Sequence, residues 1–361
     1  MLYSTSIGLD VHARSIKAAA FIPETGEVRE ASFDYEPDAL IEWARKLPPP
    51  VRCVYESGPS GFDLLRRLRA GGIWCVVGAV SKMLRPSGDK IKTDKRDAIF
   101  LARMLAVGNV VEVYVPSEED EAARDLVRAR EDARHDLSRA KHLLTTLLLR
   151  KGIVYNEGKT AWTKTYRKWL EKIKFPTHTE MLVFSEYLMA IDEAERRRDR
   201  LDAAILTLSR TERWKDLISR LCLLRGISLT TAFTVAAEIG DFTRFKNASA
   251  FYSYLGLIPS LNESGESSSR GPITKTGNTH VRQILIETAW NHKRRYVTSK
   301  QLSSAEVSPE LLQLAKKANL RLHDRAIYLS NRRLHPCKVN VAVAREAAGF
   351  IWAFANLTDF G

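Results

Sequence analysis

The chain has 361 residues, 45% of them apolar, with 56 Lys+Arg against 43 Asp+Glu and a net charge of +13. That length and apolar share supply two or three cores rather than one. No apolar run approaches the ~20 residues that span a bilayer, and the opening MLYSTSIGLD lacks the plan of a secretory leader. Four scattered cysteines (Cys53, Cys75, Cys222, Cys337) argue against zinc fingers and disulfide scaffolds. These features predict a cytoplasmic protein with no membrane partner. The charge is unevenly spread: residues 243–361 hold 17 Lys+Arg against 8 Asp+Glu, the remainder 39 against 35. A basic C-terminal third suits a polyanion, held through phosphate contacts and counterion release.

The first hundred residues read as α/β. SIGLDV, SIKAAAFIPE and EVREASFDY are three β-rich runs, the last two separated by the turn ETGE. A helix over about 37–47 stops at Pro48-Pro49-Pro50. Then come the strand VRCVYE, the helix GFDLLRRLRA, a Gly71-Gly72 turn, the strand IWCVVGAV and the helix of KTDKRDAIFLARML. The order predicts a meander followed by alternating helix and strand, hence a mixed sheet with helices on its faces.

From about 117 to 150 the pattern becomes one long charged helix with Leu126, Leu137, Leu144 and Leu148 near one stripe, and a second runs over about 179–210. Two such helices around a break predict an antiparallel coiled pair, an assembly element rather than a site. Between them Tyr155, Trp162, Tyr166 and Trp169 alternate with lysines and Arg167. That composition fits either base stacking with phosphate pairing or a small aromatic core with a lysine rim. The last third reads as mostly helical, interrupted by the polar loop NESGESSSRG. Trp290 and Trp352 fall in apolar helical runs and read as core.

Four acids stand where structure alone gives little reason for them. Asp10 interrupts the apolar first strand and Glu56 ends the run VRCVYE. Asp94 and Asp97, three apart, share one face at a helix start. Singly, Asp94 and Asp97 would read as an N-cap and a first-turn acid favoured by the helix dipole. Together with two strand-end acids they form a hard oxygen set suited to Mg²⁺ or Mn²⁺. Lys92, Lys95 and Arg96 would hold the nucleic-acid backbone beside them.

IGLDVHARS, YESGPSG and KTDKRDAIFLARML together resemble the three acidic blocks of the RuvC-like, RNase H-like domain of the DEDD insertion-sequence transposases, the insertion-sequence one-ten family with its Piv-type invertase relatives. The resemblance gives Asp10, Glu56, Asp94 and Asp97 as the D-E-D-D set. It continues in LRGISLTTAFTVAAEIGD, which is similar to a helix-hairpin-helix whose turn, at Gly226, would offer backbone N–H groups to a phosphate. Ser264-Gly265, GPITKTG and HVRQILIETA resemble the family's C-terminal transposase block. That likeness implies Ser264 as a nucleophile forming a phosphoserine link to the cut strand, with Arg270, Lys275 and Arg282 as phosphate clamps. The same loop holds Ser267, Ser268 and Ser269; counting back from GPITKTG selects Ser264.

The fold class expected is therefore α/β plus all-α. Residues 1–116 would form a RuvC-like metal-binding domain, 117–220 a coiled-coil arm, and 221–361 a helical transposase domain. The function implied is DNA strand cleavage and exchange for a mobile element, in a prokaryotic, nucleoid-associated setting. Partners implied are double-stranded donor and target DNA, a structured bridge RNA as guide, and further copies of the chain as a dimer of dimers. Two rivals stand beside it: a metal-only nuclease such as a junction resolvase, and a non-catalytic nucleic-acid-binding scaffold.

Overall fold

The computed structural model describes residues 4–79, 94–264, 267–294 and 307–357; the side chains of residues 94, 262–264, 267 and 268 also lie outside that set. The chain divides into two compact units, Met1–Val115 and Pro116–Gly361.

The first unit is a five-stranded mixed sheet in the order β3-β2-β1-β4-β5. Strands β1 (Thr5–Val11), β2 (Ser15–Ile22) and β3 (Glu27–Asp34) form the antiparallel meander, while β4 (Val51–Glu56) and β5 (Trp74–Gly78) add in parallel beyond β1. Gly26 takes φ +71° in the β2–β3 turn, a conformation glycine adopts without steric cost. The two faces are covered differently. Ile7, Leu9, Cys53 and Tyr55 bury one face under α1 (Pro37–Arg45) and α2 (Asp63–Ala70). Val54 and Val76 bury the other under Leu101 and Leu105 of α3 (Asp94–Ala106). Each such leucine contributes about 1.5–3 kcal/mol on burial. Strand alternation then fixes which way every residue of β1 and β4 points.

The second unit opens with α4 (Glu118–Arg150), capped by Ser117, whose hydroxyl accepts the Asp120 N–H, with four acids in its first turn. After α5 (Lys164–Lys172) comes α6 (His178–Leu208), started by a capping box between Thr177 and Glu180. Ion pairs Arg130–Asp202, Arg197–Asp136, Lys141–Glu195 and Lys151–Glu180 run in opposite order along the two helices, so α4 and α6 pack antiparallel. The aromatic insertion closes the end of this pair. Tyr155, Trp162, Tyr166 and Trp169 stack on one another at 4.8–5.2 Å, with Tyr166 buried against Leu144 and Phe184. Of the two uses open to those rings, the small aromatic core is the one built.

Among the described residues, six further α-helices gather around Trp214, Phe233, Phe251, Leu285, Val343 and Phe354: α7 (Lys215–Leu221), α8 (Leu229–Ile239), α9 (Ala248–Tyr254), α10 (Thr279–Ala289), α11 (Pro309–Asn331) and α12 (Pro336–Ala355). The polar loop expected among them is a two-stranded hairpin, β6 (Pro259–Ser264) and β7 (Ser267–Ile273). Its sequence carries no alternating apolar pattern, and Leu261 is 58% exposed. Trp290, expected in the core, is 48% exposed with the Lys293 ammonium 4.3 Å from its ring centre. Among the described residues no helix is long and apolar enough to cross a membrane.

Candidate active site

Gly8, at the middle of β1, places the first site. A Cβ there would lie 2.0 Å from the Ala98 carbonyl oxygen and 2.5 Å from the Ala102 nitrogen. So α3 lies directly on β1 at a point where no side chain fits between the two backbones. Two long-range contacts give its direction. Lys95 pairs with Glu30 at 2.8 Å, and Glu30 lies level with Ala19 and Gly8. Arg103 lies 5.9 Å from the Phe21 ring, level with Ser6. Moving along α3 thus moves backwards along β1, and the start of α3 faces the end of β1.

The end of β1 is where Asp10 stands. Two residues beyond Gly8, it points to the α3 face, and it is half-buried. Glu56, two beyond Val54, points to the same face of β4 and is exposed. Leu9 pairs with Tyr55 in the parallel register, so Asp10 and Glu56 are the next residues of two adjacent strands. Asp97 lies one turn before Leu101 on the sheet-facing side of α3, half-buried. Asp94 opens that helix, its side chain outside the described residues. Register, alternation and helix direction thus send Asp10, Glu56 and Asp97 to one edge of the sheet. His12 joins them, with Nε2 3.2 Å from an Asp10 carboxylate oxygen.

Among the described residues no three acidic, histidine or cysteine groups are already gathered around one point as ion ligands. The donor chemistry nonetheless fits a hard divalent cation. Asp10 and Glu56 offer carboxylate oxygens side by side, reachable by water, and repel each other unless a cation joins them. Of the basic residues expected here, Arg96 is exposed and Lys95 is paired with Glu30. Lys92 lies outside the described residues.

The second constellation lies in the C-terminal unit. Ser264 is the last residue of β6, its backbone registered opposite Ser267. Arg270 on β7 is exposed, as is Lys275, whose φ is +56°. The GPITKTG block anchors the base of the hairpin by close backbone approach. A Cβ on Gly277 would meet the Tyr254 carbonyl oxygen at 1.8 Å, and one on Gly256 the Thr276 nitrogen at 2.4 Å.

Arg282 is placed differently from the exposed phosphate clamp expected of it. It is 8% exposed and donates from Nη1 to the Leu255 and Thr276 carbonyls, tying the two sides of that junction together. Burial pulls its guanidinium below the usual arginine pKa. Gly226, φ +85°, precedes α8, where the Ser228 hydroxyl accepts the Thr231 N–H. A Cβ on Gly226 would meet Asn291 and the Thr288 carbonyl, so the glycine serves helix packing at that turn.

Glu238 braces the same region from inside. It is 1% exposed, accepting from Arg128 Nε at 2.8 Å and from Asn278 Nδ2, the cap of α10, at 2.8 Å. Burial pushes its carboxyl upward, and the bonds from Arg128 and Asn278 outweigh that and hold it below the usual carboxylate range.

Comparison with known proteins decides the family. A model described as the transposase IS116/IS110/IS902 family matches residues 218–303, and a DEDD transposase model matches residues 7–152. The chain is 35% identical over 359 residues to the putative transposase y4qE of Sinorhizobium fredii, covering 97% of this chain and 88% of that one. This chain belongs to the IS116/IS110/IS902 family of insertion-sequence transposases. It is also 30% identical to the transposase of the insertion sequence element IS1533 from Leptospira borgpetersenii, over 91% of this chain and 97% of that one. A probable family 20 transposase of Pseudomonas aeruginosa is 26% identical over 69% of this chain. The DEDD match covers the strands bearing Asp10 and Glu56 and the start of α3, and the other match covers the serine hairpin.

The acidic motifs do not mark Gly8, whereas His12, two residues after Asp10, reads from the sequence as a local polar or DNA-facing residue within reach of the metal edge. A glycine between the buried Ile7 and Leu9 of a strand is the usual mark of a close backbone approach, and it was the available signal for Gly8.

Proposed function

We propose that this transposase cuts and rejoins DNA with Asp10, Glu56, Asp94 and Asp97 around Mg²⁺ or Mn²⁺ and Ser264 as the nucleophile. The observation that carries the reading is the pairing of Asp10 and Glu56 on adjacent strand ends, under the helix start that bears Asp94 and Asp97. A bound divalent cation would lower the proton affinity of an attacking oxygen and neutralise charge on the phosphate. The four carboxylates hold that charge at the sheet edge, and His12 steadies Asp10. The Ser264 Oγ forms a bond to phosphorus as the strand's P–O bond breaks. The serine proton passes to water or a carboxylate, and the departing strand oxygen takes up a proton. Attack on the phosphoserine by the hydroxyl end of another strand reverses those bonds, completing exchange with no external energy source.

In this reading residues 1–116 act as the RuvC-like domain, 117–220 as the assembly arm and 221–361 as the transposase domain that presents Ser264. Lys92, Arg96, Arg270 and Lys275 meet phosphates. Arg282 and Gly226 are positioning residues that hold the hairpin base and the α8 turn. Double-stranded donor and target DNA are the substrates, a structured bridge RNA selects them, and copies of the chain pair acids with serines. The experiment is cleavage of the element's end sequences by Asp10→Asn and Ser264→Ala proteins. Loss of cutting in both supports the reading; full turnover by Ser264→Ala would reduce it to a metal-only nuclease.

A further inference from the structure

The C-terminal unit contains a groove of about 1020 Å³, at the upper end for small-ligand pockets, that the proposed chemistry does not use. Its floor is α12, where Ala342, Gly349 and Ala353 leave room beside Phe350. One wall is Tyr252 of α9 with Pro259, Pro272 and Ile273 at the hairpin base, and the other is α11. Arg321, Arg325, Lys338 and Arg345 stand around it against one carboxylate, Glu346, which pairs with Arg321 and lies 3.8 Å from Arg325. The Arg345 guanidinium lies 4.6 Å from the Tyr252 ring centre. The basic wall continues outward along α11 as Lys317, Leu320, Arg321, Asp324, Arg325 and Tyr328. Leu320 is 45% and Tyr328 54% exposed.

We propose that this groove holds unpaired nucleotides of single-stranded DNA next to the serine hairpin. Four cations against one acid call for an anionic occupant, and the apolar floor calls for one with exposed flat faces. Single strands offer both, stacking bases on aromatic and guanidinium planes while phosphates meet the rim. A duplex keeps its base faces hidden. A second copy of this surface would set the cationic strip of α11 against itself across a two-fold axis. DNA is the strand proposed because the groove adjoins the hairpin whose serine, on the reading above, attacks DNA. Pro259 opens the strand that ends at Ser264, five residues or about 17 Å further on. The groove is thus placed to take bases a short distance from the phosphate that Ser264 would attack.

The inference rests on the reading that this chain handles DNA, but its readout is binding. The full-length protein is titrated with a labelled mixed-sequence 12-mer as single-stranded DNA, as RNA and as duplex. Ala342→Trp, which fills the floor, is expected to bind single-stranded DNA about tenfold more weakly, the loss of about one stacked base. Its duplex affinity should stay within about twofold. Should that variant fail to fold, Arg345→Gln carries the test, lowering single-strand affinity and reducing its salt slope by about 0.7. Binding is read without divalent cation and needs no strand cut, so failure of the cleavage reading and failure of the groove are seen separately. Unchanged single-strand affinity in both groove variants, an equal loss on duplex, or tighter binding of RNA than DNA would overturn the proposal. So would a variant that alters oligomeric state in sedimentation while leaving strand affinity intact.

Discussion

The acidic edge and the serine hairpin are built on opposite principles. Asp10 and Glu56 follow the buried Leu9 and Tyr55 on adjacent strands, and α3 presses so close to β1 that only glycine fits at position 8. Their spacing is set by strand register, which can slip only by turning buried side chains to the opposite face. Ser264 stands at the end of a two-stranded ribbon with Leu261 in solvent, secured at its base by Gly256, Gly277 and the bonds of Arg282. Under the proposed function, a cation site would need oxygens held in fixed relation, and a nucleophile carried on a ribbon would need an anchored base. The division suits a protein whose substrate is itself large.

The comparison can be broken at several points. The largest effect is expected at the acids. Asp10→Asn should lower DNA cleavage more than about 10³-fold, about 4 kcal/mol at the transition state. Its unfolding midpoint should remain near that of the parent, since Asp10 lies at the edge of the core. Gly8→Ala sharpens the contrast by attacking the support instead. Its Cβ would fall 2.0 Å from the Ala98 oxygen, so α3 must lift from β1 at a cost of about 3 kcal/mol, read from denaturant midpoints. Cleavage should fall with it, while single-strand binding by the groove persists.

At the hairpin, Arg282→Met leaves the Leu255 and Thr276 carbonyls without their donor and should cost about 1–3 kcal/mol. A purely phosphate-binding arginine would leave stability unchanged and lower DNA affinity alone. The smallest effect concerns pH. The Glu238 carboxyl is depressed in the folded chain, so the stability it contributes is complete above the ordinary glutamate value of about 4.3 and is lost as pH falls below it. Glu238→Gln should flatten stability against pH in that acid range, as followed by thermal unfolding; an unchanged slope would remove the carboxylate from the brace.

Much of the first unit was legible in the chain because burial leaves a pattern there. The three strands of the meander were visible as β-rich runs and both parallel strands as apolar ones, and Asp10 and Glu56 stood out by interrupting or ending apolar runs. Three features were hidden for physical reasons. The β6–β7 hairpin carries no alternating apolar pattern, so its serines, glycines and glutamates read as loop. Arg282 is buried by satisfying carbonyls, a role that an arginine code letter does not distinguish from a phosphate contact. The aromatics of residues 155–169 have a composition equally suited to bases and to each other, and only their mutual packing at 4.8–5.2 Å separates the two. The groove beside the hairpin draws on four separate stretches of chain, so no local spacing marks it.

The most direct test of the account follows the covalent link. End-labelled DNA carrying the element's junction is incubated with Mg²⁺ and the parent, Ser264→Ala or Asp10→Asn protein, denatured, and run on a gel. The parent protein is expected to carry label through denaturation, whereas neither variant should. Label retained on Ser264→Ala would contradict the serine assignment, and cleavage by Asp10→Asn at the parent rate would contradict the acidic site.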